Sequence, residues 1–115
     1  MKRYSYPDLD EALYRETLPN GLEIAVAPRR GFARKIAYFV TNYGSIHTEF
    51  TLDGKKCTVP AGVAHYLEHK MFELPGGRDV TGEFAALGAA VNAFTSYDMT
   101  AYYFACTQNF EAALE

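Results

Sequence analysis

The chain has 115 residues, of which 49% are hydrophobic and 22% charged, the composition of a folded domain with material for one core and not two. A formal net charge of -3 at pH 7 supplies no basic footprint, so neither nucleic acid nor an anionic membrane is an expected partner. No apolar run approaches a membrane span, and the start, Met1-Lys2-Arg3-Tyr4-Ser5-Tyr6, lacks the apolar stretch of a secretion signal, so a cytoplasmic location is expected.

Residues 1–13 are polar, with Pro7, Asp8, Asp10 and Glu11 close together; they read as a lead-in, ill-ordered or a short helical turn, with the structured portion over 14–115. Asn20-Gly21 between Leu18 and Leu22 signals a hairpin turn. Leu22, Ile24 and Val26 then alternate with Glu23, Ala25 and Ala27 as a strand. Lys35 to Tyr43 reads as a longer strand, aromatic and β-branched on both faces, which points to a central place in a sheet. Asp53-Gly54 marks a further turn. From Pro60 to Glu73 the residues suit a helix, opened by a proline that has no N–H to satisfy and stopped by Leu74-Pro75-Gly76-Gly77. Asp79 is placed to cap a second helix ending at Gly88. Ala90 to Ser96 and Thr100 to Thr107 read as two strands around Tyr97-Asp98, and Phe110 to Leu114 opens a third helix. Cys57 and Cys106 lie far apart with no C-x-x-C spacing and read as small buried apolar residues in a reducing compartment.

The Pro60 to Glu73 helix carries the chemistry. His65 and His69 stand four apart, so both imidazoles lie on one helical face and can reach a single ion. Glu68 projects toward the same side. Neutral imidazole nitrogens bind Zn²⁺, and a carboxylate that is not a ligand can take a proton from the water that the metal activates. A lone pair of histidines one turn apart is a weak signal, but the glutamate in the order H-x-x-E-H narrows it. Val63, Leu67 and Met71 are expected to pack this helix into the core.

Gly62-Val63-Ala64-His65-Tyr66-Leu67-Glu68-His69-Lys70-Met71-Phe72-Glu73 resembles the active-site helix of the pitrilysin/insulinase zinc peptidases, the inverzincins. Gly44-Ser45, Asn92-Ala93-Phe94-Thr95-Ser96 and Thr100-Ala101-Tyr102 match further blocks of that family, with order and spacing agreeing from about Tyr14 to Thr107. Lys70 and the Asn-Ala-Phe-Thr-Ser wording look like the bacterial cytoplasmic branch. The resemblance implies an α+β fold, an antiparallel-rich sheet with helices packed on one face, part of a mitochondrial-processing-peptidase-like metallohydrolase domain. It implies a zinc endopeptidase acting on peptides or small polypeptides, with His65 and His69 as zinc ligands and Glu68 as general base. It also implies that Asn92 and Ala93 lie on an edge strand that holds an extended peptide by main-chain hydrogen bonds. The competing reading of Asn92 is an ordinary strand-end or turn residue.

A catalytic zinc takes three protein ligands, and the family's third is a glutamate several tens of residues beyond the second histidine. In-chain substitutes are Glu73, His47, Glu83, Asp98 and Glu111. Glu73 reads as a solvated or supporting acid at the helix end, and nothing in the sequence aims the others at the metal. The expectation is therefore an N-terminal portion of a catalytic half whose parent pairs it with a second homologous half or partner subunit. Such a portion is inactive alone and self-associates through uncovered apolar faces. The competing readings are a non-catalytic structural or peptide-binding subunit of the same family and a simple metal-responsive or edge-strand peptide-binding module.

Overall fold

A computed structural model describes all residues, Met1–Glu115, and divides the chain into two compact units, Met1–Ala33 and Arg34–Glu115. In the first unit β1 (Lys2–Tyr6) and β2 (Glu11–Thr17) pair antiparallel across a 3-10 turn at Pro7–Leu9, and β3 (Glu23–Val26) joins β2 on its other side. The opening residues are thus a strand rather than a lead-in. Their alternation of Lys2, Tyr4 and Tyr6 with Arg3 and Ser5 has the two-residue period of a strand, and Asp10, with φ of 49°, closes the turn by donating its N–H to Pro7 O. The expected Asn20-Gly21 turn forms between β2 and β3: Gly21 has φ of 86°, and Asn20 Oδ1 accepts from Leu22 N at 3.1 Å. Glycine enters that region without steric cost.

The second unit runs β4 (Lys35–Thr41), β5 (Glu49–Leu52), β6 (Lys55–Thr58), α1 (Val63–Lys70), β7 (Glu73–Leu74), β8 (Arg78–Asp79), α2 (Val80–Ala86), β9 (Ala90–Thr95), β10 (Thr100–Cys106) and α3 (Phe110–Leu114). Its main sheet has the order β4-β10-β9, all antiparallel, with β5-β6 and β7-β8 as separate two-stranded ribbons. This is the expected α+β class. β4, however, is an edge strand, and β10 is the central one. Apolar residues on both faces of β4 are also uncovered: Tyr38 is 58% exposed on one face and Phe39 57% on the other. Composition marks a strand's demand for cover on both faces, and it does not supply that cover.

Residues directly opposite in an antiparallel pair share a face. One face of the sheet therefore carries the rows Thr41–Thr100–Thr95, Phe39–Tyr102–Ala93 and Ala37–Phe104–Val91. The helices lie on this face. Phe104 packs against Phe84 of α2 and Phe110 of α3, each with ring centroids 5.4 Å away, and Ala89, Cys106 and Ala113 complete the buried cluster. The other face carries Tyr38, Tyr103 and Asn92 in one row, with the two tyrosine rings stacked at 5.0 Å.

α2 begins where expected, Asp79 Oδ1 accepting from Thr81 N at 3.0 Å. α1 is shorter than the Pro60 to Glu73 pattern, because Gly62 at φ of 95° puts a left-handed turn ahead of Val63. Both cysteines are free thiols, Cys106 buried in the core and Cys57 only half-buried in β6, where its Sγ lies 3.7 Å from Lys55 O.

Candidate metal centre

α1 packs on β9 and β10, and the helix turns a different face to the sheet from the one its apolar residues predict. Ala64 and Glu68 are its buried residues, with Glu68 8% exposed, whereas Leu67 and Met71 are 45% and 63% exposed. A buried carboxylate needs hydrogen bonds to replace lost water. Glu68 has one: Thr95 Oγ1 donates to its Oε2 at 2.7 Å. Thr95 lies on the helix side of β9, opposite Thr100, whose own hydroxyl donates to Tyr43 O at 2.8 Å. Tyr102, in the adjacent row, has its hydroxyl pKa pushed above its ordinary value of 10.0, first by burial and then by the negative charge of Glu68.

His65 and His69 are exposed and converge as their spacing predicts. Their rings lie 4.8 Å apart between centroids, and the two Nε2 atoms are 3.1 Å apart. Two nitrogens bound to one tetrahedral ion at 2.0–2.1 Å are about 3.3 Å apart. The two imidazoles therefore fit a shared cation with almost no rearrangement. Either Nε2–H donates to the other ring's lone pair in this arrangement, or both lone pairs turn to a metal.

No third histidine, cysteine or acid joins them. Glu73 is engaged by Lys70, whose Nζ donates to both carboxylate oxygens at 2.9 and 2.8 Å, and that hydrogen bond, with the carboxylate's charge, holds the lysine's pKa above its ordinary value. Glu83 pairs with Arg78 at 2.7 Å. His47 Nδ1 accepts from Gly44 N at 3.0 Å, a turn-stabilising contact. Asp98 sits exposed in the β9–β10 turn, and Glu111 is exposed on α3.

β9 is an open edge, pairing only with β10. Ser96 N donates to Met99 O at 2.7 Å, which makes Ser96–Met99 a closely bonded pair. Such pairs recur at every second residue, at Phe94–Ala101 and Asn92–Tyr103, so Asn92 turns its main-chain groups to β10 and Ala93 turns its own to the open edge. The Ala93 N–H is accepted there by Asn92 Oδ1 at 2.8 Å. Of the two residues expected on the peptide-holding edge, Ala93 turns its main-chain groups to the open edge, whereas Asn92 turns its own to β10 and its side chain to the face opposite α1. The residue that sequence reasoning missed is Thr95. Its signal was its place two residues beyond Ala93, on the same face of the strand.

Residues 58–115 match the insulinase family, peptidase family M16. The chain belongs to that family. It is 47% identical over 117 residues to the uncharacterized zinc protease YmfH of Bacillus subtilis (strain 168), an alignment covering 100% of this chain and 27% of that protein. The beta subunit of the mitochondrial-processing peptidase of Dictyostelium discoideum is 31% identical over 91 residues, 76% of this chain and 18% of that one. The fold superposes on the crystal structure of an M16-like peptidase from Alicyclobacillus acidocaldarius with a TM-score of 0.82 at 42% identity, covering 90% of this chain and 24% of that chain. The chain thus spans about a quarter of the length of the first relatives it matches, and within that span the α+β arrangement is the insulinase family's.

Proposed function

We propose that this chain carries the metal-binding helix of a cytoplasmic zinc-dependent endopeptidase of the bacterial branch, in which His65 and His69 are zinc ligands and Glu68 is the general base. The observation that carries the reading is the pair of exposed Nε2 atoms 3.1 Å apart, one residue from a buried, hydrogen-bonded carboxylate. Held by His65 and His69, Zn²⁺ would supply Lewis acidity, lowering the pKa of a water toward about 7 and polarising a peptide carbonyl. Glu68 accepts the proton at its free oxygen and passes it to the leaving amine. Ala93, with main-chain groups on the open edge, binds an extended peptide as an added strand, and Asn92 gives up its hold on the Ala93 N–H as the peptide arrives.

Two imidazoles and no further donor make a two-ligand site, so the third ligand is proposed to come from outside these 115 residues, as is the second homologous half or partner subunit that completes the substrate chamber. The chain alone is then inactive, and its uncovered apolar surfaces favour self-association. The relatives named as zinc proteases and the processing-peptidase subunit support a peptidase with a partner half.

The test is hydrolysis of unstructured peptides by the full-length protein supplied with zinc. Wild type should cleave, and Glu68→Gln should lose nearly all activity while retaining zinc. Cleavage undiminished in Glu68→Gln removes the assigned base. Zinc and peptide bound but returned intact by wild type would instead favour the non-catalytic, peptide-binding reading.

A further inference from the structure

We infer that Thr95 is the positioning residue for the Glu68 base, its hydroxyl holding Oε2 so that Oε1 is the proton-accepting atom; this rests on the peptidase reading above. The hydroxyl has one proton to give. Its distance to Glu68 Oε2 is 2.7 Å, within the range of charge-assisted hydrogen bonds. The neighbouring Thr100 Oγ1 is 3.4 Å away, too far to compete.

The sheet fixes the direction of that bond. Thr41, Thr100 and Thr95 are register partners across all three strands. Thr100 is 2% exposed and commits its proton to Tyr43 O. Thr41 Oγ1 reaches Thr100 O at 3.4 Å at the far end of the row. β-Branched threonines have stiff χ1 angles, so the row presents the Thr95 hydroxyl to α1 from a rigid surface. A glutamate has three side-chain torsions to order, and a base held only by its helix would sample orientations in which neither oxygen faces the reacting water. One oxygen tied to the sheet removes most of that freedom without filling the other.

The test uses the full-length, zinc-loaded protein. Thr95→Val removes the hydroxyl and keeps a β-branched strand former, and Thr95→Ser keeps the hydroxyl. Thr95→Val should lower kcat roughly ten- to hundredfold with KM within about twofold, and Thr95→Ser should restore kcat to within about threefold, as expected for a hydrogen bond to a charged group. A crystal structure of Thr95→Val should show the Glu68 carboxylate rotated or in two conformers while zinc content is unchanged. Wild-type kcat in Thr95→Val, or a Thr95→Ser as slow as Thr95→Val, overturns the inference while leaving the peptidase reading intact. Full activity in Glu68→Gln would overturn both.

Discussion

Gly44 is the position at which a single methyl group should do most damage to the second unit. A Cβ built there would lie 2.5 Å from Met99 N and 2.7 Å from both Asp98 N and Asp98 C. All three are backbone atoms of the β9–β10 turn, which cannot swing aside like a side-chain tip. Reaching ordinary contact at 3.4 Å means a displacement of 3.4 − 2.5 = 0.9 Å. That turn is tied to the same segment by Ser45 N to Ser96 O at 3.1 Å and Ile46 N to Tyr97 O at 2.9 Å, and both bonds would lengthen. Overpacking costs about 1–3 kcal/mol and a weakened hydrogen bond about 0.5–1.5 kcal/mol, so Gly44→Ala should destabilise by about 2–4 kcal/mol. For a domain of this size that lowers Tm by at least about 8 °C. Gly82→Ala is the control: it lies inside α2 with nothing within 4 Å of an added Cβ, and it should gain about 0.5–1 kcal/mol from helix propensity. Urea and thermal unfolding of the two variants beside wild type provide the comparison. Gly44→Ala melting within about 2 °C of wild type would show that the close approach is not the constraint described.

Phe104→Ala removes the ring that Phe84 and Phe110 both contact and should cost about 3–5 kcal/mol in urea unfolding; a loss under about 1 kcal/mol would mean that α2 and α3 are not held through that residue. Tyr102 gives a pH signature. Its pKa is raised above 10.0, so the folded state keeps the proton more tightly than the unfolded one. Its contribution to stability is therefore full below pH 10.0 and is lost as pH rises through that value toward the folded pKa. Stability measured across that window should fall less steeply in Tyr102→Phe, and equal slopes would refute the assignment.

Local chemistry was the legible part of the sequence. The Asn20-Gly21 turn, the Asp79 cap and the H-x-x-E-H face depend on residues within four positions of each other, and each forms as its residue types require. What depended on distant chain was not legible. β4 has the residues of a central strand and stands at an edge, because pattern reports which faces are apolar and not which neighbours arrive. Leu67 and Met71 are apolar but exposed, while Glu68 is buried, since the partner that makes its burial tolerable, Thr95, lies 27 residues away. Lys2 to Tyr6 looked like a polar lead-in because its pairing with β2 adds main-chain hydrogen bonds and little apolar cover.

Metal analysis of the full-length protein, wild type beside His65→Phe and His69→Phe, tests the central claim most directly. The wild-type protein, loaded with zinc and freed of loose metal, should hold about one zinc per chain, and each variant should hold almost none. Zinc retained equally in all three would mean that the converging imidazoles of α1 are not the metal site.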